Sequence, residues 1–430
     1  MKILFAFENP LPNEEADAEV FTATARHLAP YASQAWLHVP ASDAAHGERA
    51  AALAGMTVIR ARAPLGPPAL RHFACGATLM FRREFRQADL VYTRNLWIAW
   101  AALSAGQRVA FDHYRPWPVQ VPPLGPWIHR LMCNGRFLAN ITHSEYTRGR
   151  YLELGMPAEK LFCVHTGFDP GRLEGSRAPH EAKRRLGLEP SRKTVVYTGR
   201  INHKKGLELA IEAAKSLPDH LFLLVGSYGS GPVESLAKDI ANVRAIPWQH
   251  SPEALRQYLD AADVLLIPPS LKPLTEFGST VIPLKLYLYM GAARPILAGD
   301  TPDVREILED GRNALLCRPD SVESLVAGVR ALTSDGALSQ RLAATALSDS
   351  RRYTWSARAL RIASILEAGL RSAPAECGGR NREQSRAWVK LSRRWAIHLI
   401  RNRSWVLPPR ADSAGVAPAA ASQEPPNACG

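Results

Sequence analysis

Short apolar runs alternate with segments of helical periodicity along most of the chain, as expected for strands and helices that follow one another in turn. In the first part, KILFAF, QAWLHVP, MTVIRA, DLVYTR, RVAFDH and LANITHS are candidate buried strands. AEVFTATARHLAPYA, between the first two, has helical spacing. Alternation of this kind predicts a parallel sheet that is covered by helices on both faces.

A second series of the same kind begins near residue 193. Its strand candidates are KTVVYTG, HLFLLVG, VRAIPW, DVLLIPPS, RPILAG and NALLCRP, and its helical segments are LELAIEAAKSL, VESLAKDI, PEALRQYLDAA, IPLKLYLYMGA, DVREILEDG and SVESLVAGVRAL. A segment rich in Gly, Pro and charge separates the two series. We therefore predict an α/β protein with two Rossmann-like, doubly wound domains that face each other across a cleft. The predicted units are a first domain over 1–168, a linker over 169–192, a second domain over 193–352 and a further helix over 353–371.

Positive charge is concentrated near the carboxyl terminus. The chain has 53 Lys and Arg against 40 Asp and Glu, a net charge of +13. Eight Lys or Arg and one acid lie between Arg380 and Arg403, so this segment alone carries +7. Because the remaining chain carries only +6, a nucleic-acid-binding domain is not indicated.

The basic segment over 380–405 is predicted to form an amphipathic helix. Trp388 and Trp395 lie on an apolar face, opposite a face of Arg and Lys. Such a helix suits the surface of an anionic membrane, but its apolar face could equally dock on the protein itself. The Ala/Pro-rich segment 406–430 is predicted to be a disordered tail.

The cysteine pattern and the amino-terminal sequence favour a location in the cytoplasm. The six cysteines form no C-x-x-C pair, so neither a zinc site nor a disulfide framework is suggested, and reduced thiols are expected. The amino terminus has no signal-peptide pattern, and NLWIAWAALSAG is too short to span a bilayer. We expect a cytoplasmic protein that is soluble or peripheral on the inner face of the membrane.

The most informative local pattern is VVYTGRINHKKG. An apolar strand ends at Gly199, and Arg200 and Lys205 precede the next helix. Two cations near a helix amino terminus can hold a phosphate-bearing group. A loop with solvated cations is the alternative interpretation.

Two further loops carry candidate ligand-binding residues. Gly226 follows a strand in HLFLLVGSYGSGP, although the spacing is not G-x-G-x-x-G and disfavours a nicotinamide-binding protein. An ordinary turn is the alternative there. In DVLLIPPSLKPLTEFGSTVIPLKLYLYMGA, Glu276 is the acid of the loop and Lys285 begins a helix. A loop carboxylate and a surface lysine are the alternatives.

These segments, in this order, resemble the carboxyl-terminal domain of a family-four glycosyltransferase with the two-domain GT-B fold. VVYTGRINHKKG is similar to that family's strand–GR–x4–KG signature, and YLDAADVLLIPPS, IPLKLYLYMGAARPILAG and DVREILEDGRNALLCRPDSVESL resemble its next segments. NITHSEYTRGRYLELGMPAEKLFCVHTGFD and YTWSARALRIASIL also resemble family segments. The resemblance covers about residues 1–370, most strongly 140–360, and extends to a terminal helix that crosses back onto the first domain.

The resemblance implies transfer of a sugar from a nucleotide-sugar donor to a glycan or lipid-linked acceptor, with retention at the anomeric carbon. Arg200 and Lys205 fall on positions that hold the donor diphosphate, so no metal is required. His113 falls near a histidine that faces the donor sugar, and Ile246 to Trp248 match a loop beside the nucleobase. The implied catalytic residues are His113, Arg200 and Lys205. The implied donor-binding residues are Gly199, Arg200, Lys205, Gly226, Ile246, Trp248, Glu276, Thr280, Lys285 and Leu288.

One departure from the family pattern concerns a pair of glutamates. Leu288 stands where the family has a glutamate that binds the donor ribose, and Thr280 stands near the position of its partner. Leucine cannot accept hydrogen bonds from hydroxyl groups. A catalytically degenerate GT-B protein that acts as a membrane-associated scaffold or binding subunit is therefore the first alternative. A membrane or nucleic-acid binder driven by the basic tail is the second.

Overall fold

The computed structural model describes residues 1–11, 15–40, 55–61, 68–275 and 282–372. The predictions that concern Glu276, Thr280, the basic helix over 380–405 and the tail over 406–430 lie outside the described residues. Among the described helices, none has the length and apolarity needed to cross a bilayer.

The first sheet has seven described strands, all parallel, in the order β3-β2-β1-β4-β5-β6-β7. The strands are β1 (Lys2–Ala6), β2 (Gln34–Pro40), β3 (Thr57–Ala61), β4 (Leu90–Thr93), β5 (Val109–Asp112), β6 (Phe137–Thr142) and β7 (Leu161–Cys163). The helices are α1 (Ala16–Leu28), α2 (Pro68–Leu79), α3 (Arg83–Gln87), α4 (Leu96–Ser104), α5 (Trp117–Gln120), α6 (Gly125–Met132) and α7 (Glu145–Glu153). Six strands coincide with the predicted apolar runs, whereas β7 was not predicted because it has only three residues.

The second sheet has six described parallel strands in the order β10-β9-β8-β11-β12-β13. The strands are β8 (Lys193–Thr198), β9 (His220–Ser227), β10 (Val243–Pro247), β11 (Val264–Ile267), β12 (Ile296–Gly299) and β13 (Leu315–Cys317). The helices are α8 (Pro179–Arg185), α9 (Glu208–Lys215), α10 (Pro232–Lys238), α11 (Pro252–Asp260), α12 (Lys272–Thr275), α13 (Leu284–Gly291), α14 (Val322–Ser334) and α15 (Gly336–Ser350).

The helix predicted over DVREILEDG is wrong beyond its first turn. Only a 3₁₀ turn, Val304–Glu306, forms there. The side chain of Asn313 accepts a hydrogen bond from the backbone N–H of Glu309 at 2.8 Å. This bond satisfies a donor that a continuing helix would have used, and the chain turns toward β13 instead.

Helix α16 (Trp355–Arg371) contacts α1 and β6 of the first domain. Its apolar face, which includes Ile362 and Leu366, is buried in the same core as Phe5 and Phe21. The chain therefore returns to the first domain after completing the second. The domain boundaries proposed from the sequence stay predictions.

Each sheet is buried on both faces by separate apolar clusters, which confirms the predicted α/β architecture with two Rossmann-like sheets. Strand order reverses between β1 and β4 in the first sheet and between β8 and β11 in the second. At such a reversal the loops leaving the two strands diverge and open a crevice at the carboxyl edge, where doubly wound proteins bind ligands. The motif with Arg200 and Lys205 follows β8 and therefore lies at this crevice.

Candidate donor-diphosphate site

A cluster of cations lies at the carboxyl end of β8. Arg200 and Lys205 come from the loop after β8, and Lys285 comes from the first turn of α13. The Lys285 Nζ lies 3.5 Å from the centroid of the Tyr197 ring. Among the described residues, no carboxylate pairs with any of these three cations. Within the described part of the chain, the cluster is therefore a site of uncompensated positive charge.

The surroundings of the two lysines disfavour their charged form. Burial, followed by the charge of Lys205, holds the pKa of Lys285 well below its usual value. Burial of the amine, followed by the charges of Arg200 and Lys204, also lowers the pKa of Lys205, although its side chain as a whole is exposed. An anion between these groups would favour their protonated forms, because opposite charges stabilise each other.

Two predicted glycines allow the end of β9 to approach the loop after β8 closely; Gly226 lies within β9 rather than after it. Gly199 has φ +118° and Gly226 has φ +128°. A Cβ on Gly226 would lie 2.3 Å from the carbonyl oxygen of Gly199, and a Cβ on Gly199 would lie 3.0 Å from the Lys285 Nζ. Gly199 therefore gives Lys285 room beside the loop. Gly226 is needed for packing, and its predicted contact with a nucleotide stays a prediction.

Aromatic side chains continue the site away from the cations. The Tyr228 and Trp248 rings stack with centroids 5.3 Å apart, and the Arg200 guanidinium lies 5.2 Å from the Tyr228 ring centre. Tyr228 and Trp248 line a cavity of about 560 Å³ between the loops that follow β9 and β10. Ile246 lies on β10, partly buried. Tyr228 was missed by sequence reasoning, although its place between two glycines of VGSYGSG was a usable signal.

Helix α13 carries the two remaining described candidates on different sides. Lys285 faces the loop after β8, whereas Leu288 is buried in a core cluster of the second domain. Leu284, beside Lys285, packs against Trp355 and Val20 of the first-domain side. The start of α13 thus lies where the two domains meet, so the Lys285 side of the cation cluster is close to the first domain.

The carboxyl edge of the first sheet also carries polar side chains. Glu8 follows β1, Arg94 and Asn95 follow β4, and His113 follows β5. One Glu8 oxygen is buried without a hydrogen-bond partner. Arg94 is 3% exposed, and its Nη2 lies 3.1 Å from Asp17 Oδ1. Burial raises the pKa of Glu8 above its usual value, which favours its protonated form.

His113 is buried at this edge as a neutral imidazole. Burial, followed by the charges of Arg94 and Arg115, holds its pKa well below the usual value. Its Nδ1 accepts a hydrogen bond from the backbone N–H of Arg115 at 2.9 Å. A neutral ring with an accepting Nδ1 carries its hydrogen on Nε2. The predicted histidine is therefore equipped to donate one hydrogen bond, as to a sugar oxygen.

A buried ionic network behind His113 was not foreseen. Arg358 of α16 donates from Nη2 to both Asp112 oxygens at 2.9 and 2.7 Å. The Nε2 of His143 lies 2.6 Å from Asp112 Oδ1, and the Tyr92 hydroxyl donates to Asp112 Oδ2 at 2.5 Å. Although burial opposes ionisation, Arg358 and His143 hold the pKa of Asp112 well below its usual value. The network fastens α16 to β5, next to the predicted catalytic histidine.

Residues 192–335, which contain the cation cluster and its loops, match the family model for glycosyl transferases group 1. The second domain is a glycosyl transferases group 1 domain. The predicted resemblance is thereby confirmed for this part of the chain. The group 1 domain begins just before β8 and ends after α14.

Curated relatives of the chain extend the same similarity. This chain is 30% identical over 204 residues to the putative colanic acid biosynthesis glycosyl transferase WcaI of Escherichia coli. The alignment covers 44% of this chain and 48% of that protein. The chain is 28% identical over 222 residues to the alpha-D-kanosaminyltransferase of Streptomyces kanamyceticus, covering 49% and 55%. The chain thus aligns with about half the length of these relatives.

Solved structures resemble both domains together. Anabaena HepE, solved in complex with UDP, superposes with a TM-score of 0.68 at 17% identity, covering 86% of this chain and all of that one. WaaG, a glycosyltransferase involved in lipopolysaccharide biosynthesis, superposes with a TM-score of 0.60 at 14% identity, covering 84% and 99%. At these identities the likeness establishes the fold. The group 1 domain is therefore one half of a GT-B fold, as predicted.

Proposed function

We propose that the protein is a retaining glycosyltransferase that moves a sugar from a nucleotide-sugar donor to a glycan or lipid-linked acceptor. The observation that carries this proposal is the cluster of Arg200, Lys205 and Lys285 at the switch point of a group 1 domain, which has no carboxylate partner among the described residues. Relatives named for colanic acid and amylovoran biosynthesis support a role in cell-surface polysaccharide or lipopolysaccharide assembly.

The chemistry requires a site that stabilises a departing nucleoside diphosphate. Negative charge grows on the leaving oxygen as the glycosyl bond breaks, and cations already in place lower the energy of that transition state. Arg200 offers a planar fork of donors, and the two lysines offer compact charges. Three protein cations can perform the neutralising task that a metal ion performs in other transferases, so we propose transfer without a metal.

The donor nucleotide would extend along the carboxyl edge of the second sheet. A base placed beside Tyr228 and Trp248 would gain stacking against an aromatic surface. Leu288 offers no acceptor for ribose hydroxyls, so these would bond elsewhere, for example to backbone groups. Because HepE was solved with UDP and with UDP-glucose, uracil is the first base to test.

The acceptor would enter from the first domain, where His113 donates from Nε2. We propose that this hydrogen bond orients the transferred sugar. The aromatic rings of Tyr114 and Trp117 pack beside the imidazole on that side, with centroids 4.6 and 5.3 Å from that of His113. A neutral donor suits a sugar hydroxyl because it adds no competing charge beside the diphosphate.

We also propose a cytoplasmic protein at the membrane surface. The first domain exposes 81% of Phe81 and 37% each of Trp97 and Trp100. Tryptophans at a protein surface, together with the basic segment over 380–405, suit an interfacial location. Sedimentation of the full chain with anionic vesicles should weaken in a Trp97→Ser/Trp100→Ser variant, and unchanged sedimentation would count against this face.

Stabilisation by nucleotides tests the donor site directly. One nucleoside diphosphate, UDP or GDP, should raise the melting temperature of the wild-type protein, because binding to the folded state adds about 2.7 kcal/mol at 100 times Kd. The Arg200→Ala/Lys205→Ala variant should lose this shift. Lys204→Ala, a neighbouring exposed lysine of the same loop, should keep it. Equal shifts in all three proteins would overturn the site.

A catalytically degenerate subunit is the alternative, and Leu288 is the observation that favours it. Such a protein would still bind the nucleotide through Arg200 and Lys205. The two proposals separate in an assay for release of nucleoside diphosphate from the corresponding sugar nucleotide. Binding without release, with and without added acceptor glycans, would favour the subunit over the enzyme.

A further inference from the structure

Three side chains with metal-binding atoms meet where the two domains touch. Cys163 ends β7, His165 follows two residues later, and Glu306 ends the 3₁₀ turn of the second domain. The Cys163 Sγ lies 3.8 Å from the His165 Nε2, which lies 3.2 Å from Glu306 Oε2. One ligand atom from each lies within 4.8 Å of the other two.

The distances from the His165 Nε2 to the Cys163 Sγ and the Glu306 Oε2 are close to those in a tetrahedral zinc site. Zinc binds cysteine sulfur at about 2.3 Å and histidine nitrogen or carboxylate oxygen at about 2.0–2.2 Å. Tetrahedral geometry then places sulfur about 3.6 Å from nitrogen, and nitrogen about 3.4 Å from oxygen. The distances from His165 to Cys163 and Glu306 differ from these values by a few tenths of an ångström. The Cys163 Sγ lies within 4.8 Å of a Glu306 oxygen, so side-chain movement would bring these two ligands together around the ion.

The Glu306 carboxylate is already oriented by the other domain. Its Oε2 accepts from the backbone N–H of Glu145 at 2.7 Å, and its Oε1 accepts from that of Tyr146 at 2.8 Å. Each carboxylate oxygen has two lone pairs, so these bonds leave capacity for a further ligand. Hydrogen bonds of this kind fix the direction of a metal-ligating carboxylate.

We propose that Cys163, His165 and Glu306 bind a zinc ion that joins the end of β7 to the second domain. A thiolate, an imidazole and a carboxylate together favour zinc over magnesium or calcium, which prefer oxygen ligands. On binding, the thiol releases its proton to solvent and the imidazole coordinates in its neutral form. The site shares no residue with the Arg200 cluster, so transfer without a metal and this zinc site are independent proposals.

This site could not be expected from the sequence. His165 and Glu306 are 141 positions apart, and a C-x-H spacing alone supplies only two ligands. A simple hydrogen bond between His165 and Glu306, with the thiol beside it, is the competing interpretation that the experiment must separate from zinc binding.

Zinc content measures the site in the full chain. The protein would be stripped with a chelator, dialysed against Zn²⁺ and then metal-free buffer, and analysed by mass spectrometry for zinc per chain. Cys163→Ser and His165→Gln should each lose about one equivalent relative to wild type. Cys133→Ser is the matched control, because its Sγ also lies near a histidine, 3.6 Å from His129 Nδ1, but no third ligand joins that pair among the described residues.

A spectroscopic readout identifies the ligand. With Co²⁺ in place of zinc, the wild type and Cys133→Ser should show a thiolate charge-transfer band and intense tetrahedral visible bands, and Cys163→Ser should lose the charge-transfer band. Circular dichroism of the metal-free variants checks that they fold. If Cys163→Ser does not fold, His165→Gln is the variant that tests the site. Zinc contents and cobalt spectra that do not differ between wild type and the folded variants would overturn the site.

Discussion

The two domains differ in how they surround their positively charged side chains. In the first domain, the Arg358 guanidinium is fully buried and bonded to Asp112, to Thr24 and to backbone carbonyl groups. In the second domain, Arg200 and Lys205 are exposed at the crevice and have no described carboxylate partner. The comparison separates cations that are paired within the fold from cations that we propose bind a ligand.

Removing a positive charge should change the free energy of unfolding differently in the two regions. A buried charge that loses its partner costs about 3–5 kcal/mol, because the remaining charge is left without compensation. Removing one of several mutually repelling cations relieves repulsion and costs the fold little. Substitution should therefore harm stability in one region and ligand binding in the other.

The largest expected effect is on stability, at Arg358. Replacement by Met leaves Asp112 ionised or protonated in a buried site, and should lower the free energy of unfolding by about 3–5 kcal/mol. Urea unfolding followed by circular dichroism measures the loss. Arg361→Met, an exposed position on the same helix, is the control. Similar unfolding midpoints for the two variants would show that the network does not stabilise α16.

The next effect is on activity, at the cluster of Arg200, Lys205 and Lys285. The Arg200→Ala/Lys205→Ala variant should lower kcat/KM for sugar transfer by about 10²–10³-fold or more, since removal of a single charge-stabilising donor already costs that much. Its urea midpoint should equal or exceed that of wild type. Lys204→Ala should leave both quantities nearly unchanged. An unfolding midpoint that falls in parallel with activity would mean that the cluster is structural.

The predictability of these two regions from sequence differs for a physical reason. Arg200 and Lys205 lie in one local strand–loop motif, so their position at the edge of the sheet follows from the apolar run before them. Arg358 and Asp112 are 246 positions apart, and their pairing depends on the return of α16 to the first domain. The family resemblance predicted that return, but it carried no partner for either side chain.

Local patterns say less where tertiary contacts decide the environment of a residue. Gly226 was selected as a nucleotide-binding glycine, yet its close approach to the Gly199 carbonyl is sufficient to require a glycine. The donor-binding roles predicted for Glu276 and Thr280 concern residues outside the described part of the chain. Lys285 could be selected from sequence, but its position over the Tyr197 ring could not, because that contact joins two distant segments.

A smaller effect is expected at the aromatic part of the site. Tyr228→Ala should weaken binding of the preferred nucleoside diphosphate by about 1–3 kcal/mol, the usual contribution of a base stacked on an aromatic ring. Tyr228→Phe keeps the ring and should bind nearly as the wild type does. Isothermal titration calorimetry with UDP and GDP measures both variants. Equal affinities for Tyr228→Ala and Tyr228→Phe would place the base away from this ring.

The smallest effect is the pH dependence of nucleotide binding, which depends on Lys285. In the free protein its pKa is well below the ordinary 10.5, so some of the amine is neutral where a solvated lysine is fully charged. A bound diphosphate favours the ammonium form and raises this pKa. Binding should therefore take up protons, and affinity should fall as pH rises from the pKa of the free protein toward that of the complex.

Stability of the free protein should change in the opposite direction over the same interval. The unfolded chain, with its lysine near 10.5, binds more protons than the folded chain, so the free energy of unfolding rises with pH until both forms are neutral. Calorimetry of UDP or GDP binding in two buffers of different ionisation enthalpy measures the proton uptake. Lys285→Met should reduce that uptake, whereas Lys204→Met should not. Binding enthalpies that do not depend on the buffer would show that the Lys285 ammonium is already fully formed before the diphosphate arrives.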